Sequence, residues 1–154
     1  MRWAKPPKIK IYEAVGTVVD GRVEINGNSG KVFSSSGNKF YSVEWDGGKK
    51  IICNDNASYY VGYLGYPAIA FLIEKKNISF SEMARSVLGG IKWKDLNTRF
   101  KNDYLKLMDY VNEIAAKKGF DPELLSIEMG RIYEQITSLE METLGEKVRP
   151  PVGY

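Results

Sequence analysis

The chain has 154 residues, with 22 basic and 19 acidic side chains, one cysteine and no histidine, for a formal charge of +3. That length suggests one domain, or one domain with an appendage, and allows a real hydrophobic core, and 44% hydrophobic with 27% charged residues is ordinary for a soluble globular protein. The missing histidine excludes a Ser-His-Asp triad, a Cys-His dyad and imidazole-ligated metal, and a single thiol excludes both an internal disulfide and a cysteine-only zinc site.

No apolar run nears the roughly 18 residues of a membrane span. The opening Met1-Arg2-Trp3-Ala4-Lys5-Pro6-Pro7 lacks the apolar stretch of a signal peptide, so a cytoplasmic location and no membrane partner are expected. Residues 1–118 hold 19 basic and 12 acidic groups, whereas residues 119–154 hold 3 and 7. Such asymmetry gives a molecule one basic and one acidic side, suited to a phosphate backbone or an acidic protein, or to two solvated faces.

The first half reads as strands and tight turns. Lys8-Ile9-Lys10-Ile11-Tyr12 alternates as a half-buried strand does, and residues 18–25 read as a hairpin turning at Asp20-Gly21. After a loop at 26–30 come strands at 31–34 and 40–45, turning between them at Ser36-Gly37-Asn38. Tyr41, Val43 and Trp45 share one face of the second. Asp46-Gly47-Gly48 makes the next turn, leading into a strand at 49–53. The expected product is a small, strongly curved antiparallel sheet.

The second half changes period. Pro67 opens a helix through Ala68, Ile69, Phe71 and Leu72. Ser79 and Glu82 have the spacing of a capping box, with Gly89-Gly90 as the stop. Leu96, Phe100, Tyr104, Leu107, Val111 and Ile114 predict one helix over 93–118, ended by Gly119. Asp121-Pro122 caps another, with Leu125, Met129, Ile132, Ile136 and Leu139 as its apolar stripe. The expected class is therefore α+β, a small sheet with its helix followed by a C-terminal helical hairpin. The segments are a basic N-terminal arm with the first strand (1–15), a β-rich module (16–76), a helical region (77–145) and an extended tail (146–154).

Residues 21–73 resemble the SWIM-type zinc finger, a β-β-α module. Gly21-Arg22-Val23 is similar to its opening turn, Val32-Phe33-Ser34 and Phe40-Tyr41-Ser42-Val43 to its paired strands, and Pro67-Ala68-Ile69-Ala70 to the start of its helix. The resemblance puts the four metal positions at Cys53, Asp55, Ala68 and Ala70. One thiolate and one carboxylate cannot complete a tetrahedral zinc shell, so the expectation is a finger without metal or other cofactor. Structural zinc contributes about 10–16 kcal/mol in small modules. Burial of Tyr59, Tyr60, Tyr63 and Tyr66, with packing of the C-terminal helices, is expected to replace it.

For a partner, the basic set Arg85, Lys92, Lys94, Arg99, Lys101 and Lys106 is interleaved with Trp93 and Tyr104, a pattern of phosphate contact and base stacking. Arg2, Lys5, Lys8 and Lys10 form a basic arm that would order on a partner. Residues 82–100 also have a helix-turn-helix flavour, with Lys92, Lys94, Asn97, Arg99 and Lys101 facing outwards. Nothing points to an enzyme. Gly47-Gly48-Lys49 lacks P-loop spacing, Cys53 lacks an activating histidine, and Asp20, Glu44, Asp46, Asp55 and Glu74 are scattered acids. The expected function is a non-enzymatic nucleic-acid-associated module, RNA before DNA, of the kind held within a ribonucleoprotein such as the ribosome; no small-molecule substrate is evident. The alternatives are a protein adaptor docking through the stripe at Leu125 to Leu139, which the SWIM resemblance implies would serve a recombination or repair complex, and a helix-turn-helix DNA-binding regulator.

Overall fold

A computed structural model describes residues 1–101 and 103–152. Its first element is α1 (Ile9–Val19), where a strand and then a hairpin were expected. Five alternating residues fit either period, and the helix hides its own because Ile9, Ile11, Tyr12, Ala14 and Val15 are all buried. A helix enclosed on several sides shows no single apolar stripe. Asp20 and Gly21 turn the chain as expected, but at the end of this helix rather than between two strands, with Gly21 at φ +67°.

Four strands follow in an antiparallel meander: β1 (Val23–Asn26), β2 (Ser29–Phe33), β3 (Phe40–Trp45) and β4 (Lys50–Cys53). Pairing of Asn26 with Ser29 makes the expected loop a two-residue hairpin turn. Asp46 holds the β3–β4 turn by accepting from the backbone N–H groups of Gly48 and Lys50 at 2.7 and 3.0 Å. Those bonds favour the ionised form and lower the Asp46 pKa. A fifth strand, β5 (Glu142–Thr143), lies parallel to β4 at the sheet edge.

The helices stack outward from one face of the sheet. Along β3, Tyr41 and Val43 are buried while Phe40, Ser42 and Glu44 are exposed, the alternation of a sheet covered on one side. Covering it is α2 (Tyr66–Lys75), in which Pro67 to Ile73 are all buried. Against α2 packs α1, which in turn meets α3 (Glu82–Leu88), α5 (Tyr104–Lys117) and α6 (Pro122–Thr137). Gly16 permits this closeness: a Cβ there would lie 2.7 Å from the Leu88 carbonyl oxygen. The molecule is thus α+β, with the helical hairpin α5–α6 closing its far side.

Two expected helix details change. The cap of α3 is Ser81, not Ser79; its hydroxyl accepts from the Ala84 N–H at 3.1 Å. The long helix expected over 93–118 is two, α4 (Trp93–Arg99) and α5. Asp103 caps the second, accepting from the N–H groups of Leu105 and Lys106, and Lys101 sits at φ +51° in the break. Residue 102 of that expectation lies outside the described residues. The apolar stripe survives the break, with Leu96, Leu107 and Val111 all buried.

One hydrophobic cluster runs from Trp3 to Met141 through the first three expected segments, and the boundary expected after residue 15 falls inside α1. The N-terminal stretch is sewn into the body: Trp3 donates its backbone N–H to Met141 and its indole N–H to the Ile51 carbonyl, and Ala4 donates to Gly62. Of the tail expected at 146–154, residues 153 and 154 lie outside the described residues. Among the described residues, no helix is long and apolar enough to cross a membrane.

Candidate functional site

Between β4 and α2 the chain makes a π-helical turn, Ala57–Val61, closed by the Gly62 N–H on the Ala57 carbonyl. Wide turns of this kind are rare and occur often at functional sites. Here it borders a cleft of about 430 Å3 whose other walls come from α1, the β2–β3 loop, the start of α2, α4 and Tyr104. That volume is in the range of small-ligand pockets, about 300–1,000 Å3.

Five tyrosines line the cleft: Tyr41, Tyr60, Tyr63, Tyr66 and Tyr104. Tyr60 is 70% exposed at the rim and stands edge-on to Tyr59, with ring centroids 4.8 Å apart. Tyr41 and Tyr66 make a second edge-on pair. Deeper, the Tyr63 and Tyr104 hydroxyls are 3.2 Å apart. Desolvation raises the Tyr63 pKa, helped by the Tyr104 bond and by the negative fields of Asp55 and Glu13.

Two carboxylates lie inside the cleft wall. Asp55 is buried and accepts from both the backbone N–H and the hydroxyl of Ser58, which fixes the π-turn. Gly65 leaves room for it, since a Cβ at that position would lie 1.9 Å from the Asp55 Oδ2. Burial pushes the Asp55 carboxyl above its ordinary value, with the Ser58 bonds working the other way. Neighbouring Cys53 is buried in β4, and burial together with the Asp55 charge pushes its thiol well up. A thiol held protonated in this way is a poor nucleophile.

Glu13 differs from Asp55. It projects from α1 and is only 3% exposed, yet its bonds to Lys10 Nζ and to the Asn97 amide are both 3.4 Å. These are at the outer limit for hydrogen bonding, and charge-assisted pairs are ordinarily about 2.7–2.9 Å. Burial raises its pKa, opposed first by the Lys10 charge. Glu13 is not among the site residues expected from the sequence. Its signal was an acid standing within the apolar run Ile11-Tyr12-Glu13-Ala14-Val15.

The basic residues expected to bind nucleic acid are spread over several surfaces. Only Lys10 and Lys94 line the cleft. Arg2 and Lys5 border a small pocket beside Glu140, to which Arg2 is paired at 3.4 Å. Lys8 lies over the Tyr133 ring, Arg99 over Phe100, and Arg85 over Phe80 with Glu82 as its ion-pair partner. Lys92 faces a shallow hollow near Asp95 and Lys118, and Lys101 and Lys106 are exposed. Trp93 does not belong in a stacking set. It is 1% exposed, packed beneath α1 near Gly16, because the helix that carries it needs an anchor in the core.

The α3–α4 pair also engages the protein itself. At the start of α4 the Lys94 N–H donates to the Ser35 hydroxyl, and further along Asn97 reaches Glu13. The stripe expected to dock a partner protein is internal, since Leu125, Met129, Ile132 and Ile136 are all buried. Of the four positions aligned with metal ligands, Ala68 and Ala70 are fully buried in α2. Among the described residues no three histidine, cysteine, aspartate or glutamate side chains group to hold a metal ion.

The chain belongs to the family described as "Uncharacterised conserved protein UCP014422", whose sequence model matches residues 3–142. No curated protein and no solved structure matches it. The matched span includes every wall of the tyrosine-lined cleft.

Proposed function

We propose that this protein binds single-stranded nucleic acid, RNA above all, by taking one unstacked nucleotide into the tyrosine-lined cleft. The observation that carries this is the joint presence of aromatic rings and two lysines at one concavity of nucleotide size. Proteins that hold single strands stack bases on aromatic side chains while cations track the backbone. RNA is favoured because its loops and ends present unpaired bases. Tyr60 at the rim is the stacking surface, and Lys10 and Lys94 meet the phosphates on either side. Glu13 and Asn97 supply polar groups for the base edge. No covalent chemistry is required of any residue, so the protein acts as a binding module, alone or within a larger ribonucleoprotein.

Fluorescence anisotropy with a short labelled RNA tests this. Single strand is expected to bind at least about tenfold more tightly than duplex of the same sequence, and Tyr60→Ala to weaken it by about 5- to 150-fold, the loss of one base stack. Two phosphate contacts give a slope of about −1.4 in the logarithm of the association constant against the logarithm of salt concentration, at about −0.7 per contact on single strands. Equal affinity for duplex, or no effect of Tyr60→Ala, overturns the assignment.

A further inference from the structure

Glu13 is an acceptor with loose partners at the floor of a cleft. An ionised carboxylate only accepts hydrogen bonds, and leaving a buried one with long bonds forfeits much of the water it gave up. Each Glu13 oxygen thus has one partner at 3.4 Å, which a closer donor would improve on. On either side of Glu13 stand the Lys10 ammonium and the Asn97 amide, both of them donors, each 3.4 Å from one of its oxygens. Read across the floor, the pattern is two acceptor oxygens flanked by donors.

This inference rests on the single-strand reading above and concerns which base enters. Guanine carries two neighbouring N–H groups, at N1 and N2, and the O6 acceptor beside them. Adenine offers one amino group next to an acceptor, cytosine does the same, and uracil has a single N–H between two carbonyls. Only guanine can give both oxygens of one carboxylate a hydrogen bond while presenting an acceptor to an adjacent donor. We infer that the cleft selects guanine, with Glu13 accepting from N1 and N2 and Asn97 donating to O6. Binding then gives each Glu13 oxygen a donor closer than 3.4 Å.

The test compares uridine-rich RNAs that differ at one central nucleotide: guanine, inosine, adenine, cytosine or uracil. Guanine is expected to bind about ten- to hundredfold more tightly than the others, the discrimination of a good bidentate pair. Inosine, which lacks only the 2-amino group, should lose most of that margin. Glu13→Gln should abolish the guanine preference while keeping the melting temperature, and the wild-type series stands even if that variant fails to fold. Equal binding of all five RNAs overturns the guanine assignment and leaves single-strand binding intact. No binding of any RNA overturns both. Displacement of the guanine RNA by an equal concentration of guanosine monophosphate keeps the base assignment and overturns the strand reading.

Discussion

Glu13 and Glu128 are both carboxylates inside the protein, 3% and 9% exposed, and they are used in opposite ways. Glu128 sits on α6 and reaches the start of α3, where it accepts from the Ser81 N–H at 2.6 Å and the Ser81 hydroxyl at 2.5 Å. Ser81 in turn caps α3 through the Ala84 N–H. A carboxylate bonded that tightly to a helix start satisfies orphan donors and gains from the helix dipole. It is a structural joint with nothing left to offer a ligand. Glu13 has two long bonds and opens on a cleft. The contrast teaches that burial alone does not separate a candidate ligand-binding acid from a joint; the length of its hydrogen bonds and its place beside a cavity do.

The largest effect should come from breaking the joint. Glu128→Ala leaves the Ser81 donors without their acceptor and is expected to cost about 2–4 kcal/mol, from two charge-assisted bonds. For a chain of this size that lowers the melting temperature by roughly 4–16 °C. Glu13→Gln, by contrast, should stay within about 1 kcal/mol of wild type, because it removes a poorly compensated buried charge while Lys10 keeps an amide acceptor. Thermal melts of the two variants side by side check this, and a larger loss at Glu13 would invert the comparison.

A second, intermediate effect lies within the cleft. Gly65→Ala drives a methyl group into the buried Asp55 carboxylate, which Ser58 holds from the other side. The expected cost is about 1–3 kcal/mol, the range of overpacking. Asp55→Ala on the same background should recover part of it. A Gly65→Ala protein as stable as wild type would show that Asp55 is free to move.

The smallest effect is in the pH profile. Burial raises the Glu13 pKa in the folded state above its ordinary value of 4.5, so the folded protein holds that proton more tightly than the unfolded chain. Stability is then greatest with the group protonated, and falls as pH rises from about 4.5 through the raised folded value. Asp55 acts with the same sign from its ordinary 3.8 upward. Melting temperatures across that window should decline less steeply in Glu13→Gln than in wild type. An identical slope in both removes Glu13 from the account.

Much of the sheet was legible because β3 declares itself: Phe40 to Trp45 alternates strictly, and turn residues stand at both ends. The α2 and α6 starts were equally plain, since proline after Gly65-Tyr66 and after Asp121 fits only a first helical turn. The break between α4 and α5 was hidden, as the apolar spacing from Leu96 to Ile114 continues through it while the backbone does not. The basic residues were legible as charges but not as a surface. Lys10 and Lys94 are far apart in the chain and share a cleft, whereas Lys92 and Lys94 are two residues apart and face different hollows.

By itself the amino-acid order determined the class of structure, the strand pairing across the turns at 36–38 and 46–48 and the lack of histidine chemistry, all of which depend on neighbours in the chain or on composition. Tertiary structure decided that residues 9–19 are helical and enclosed, that Trp93 is an anchor, and that Glu13 meets Lys10, Asn97 and five tyrosines around one hollow. Those outcomes turn on which segments pack together, and a carboxyl's hydrogen-bond partners are known only once distant parts of the chain have been brought beside it.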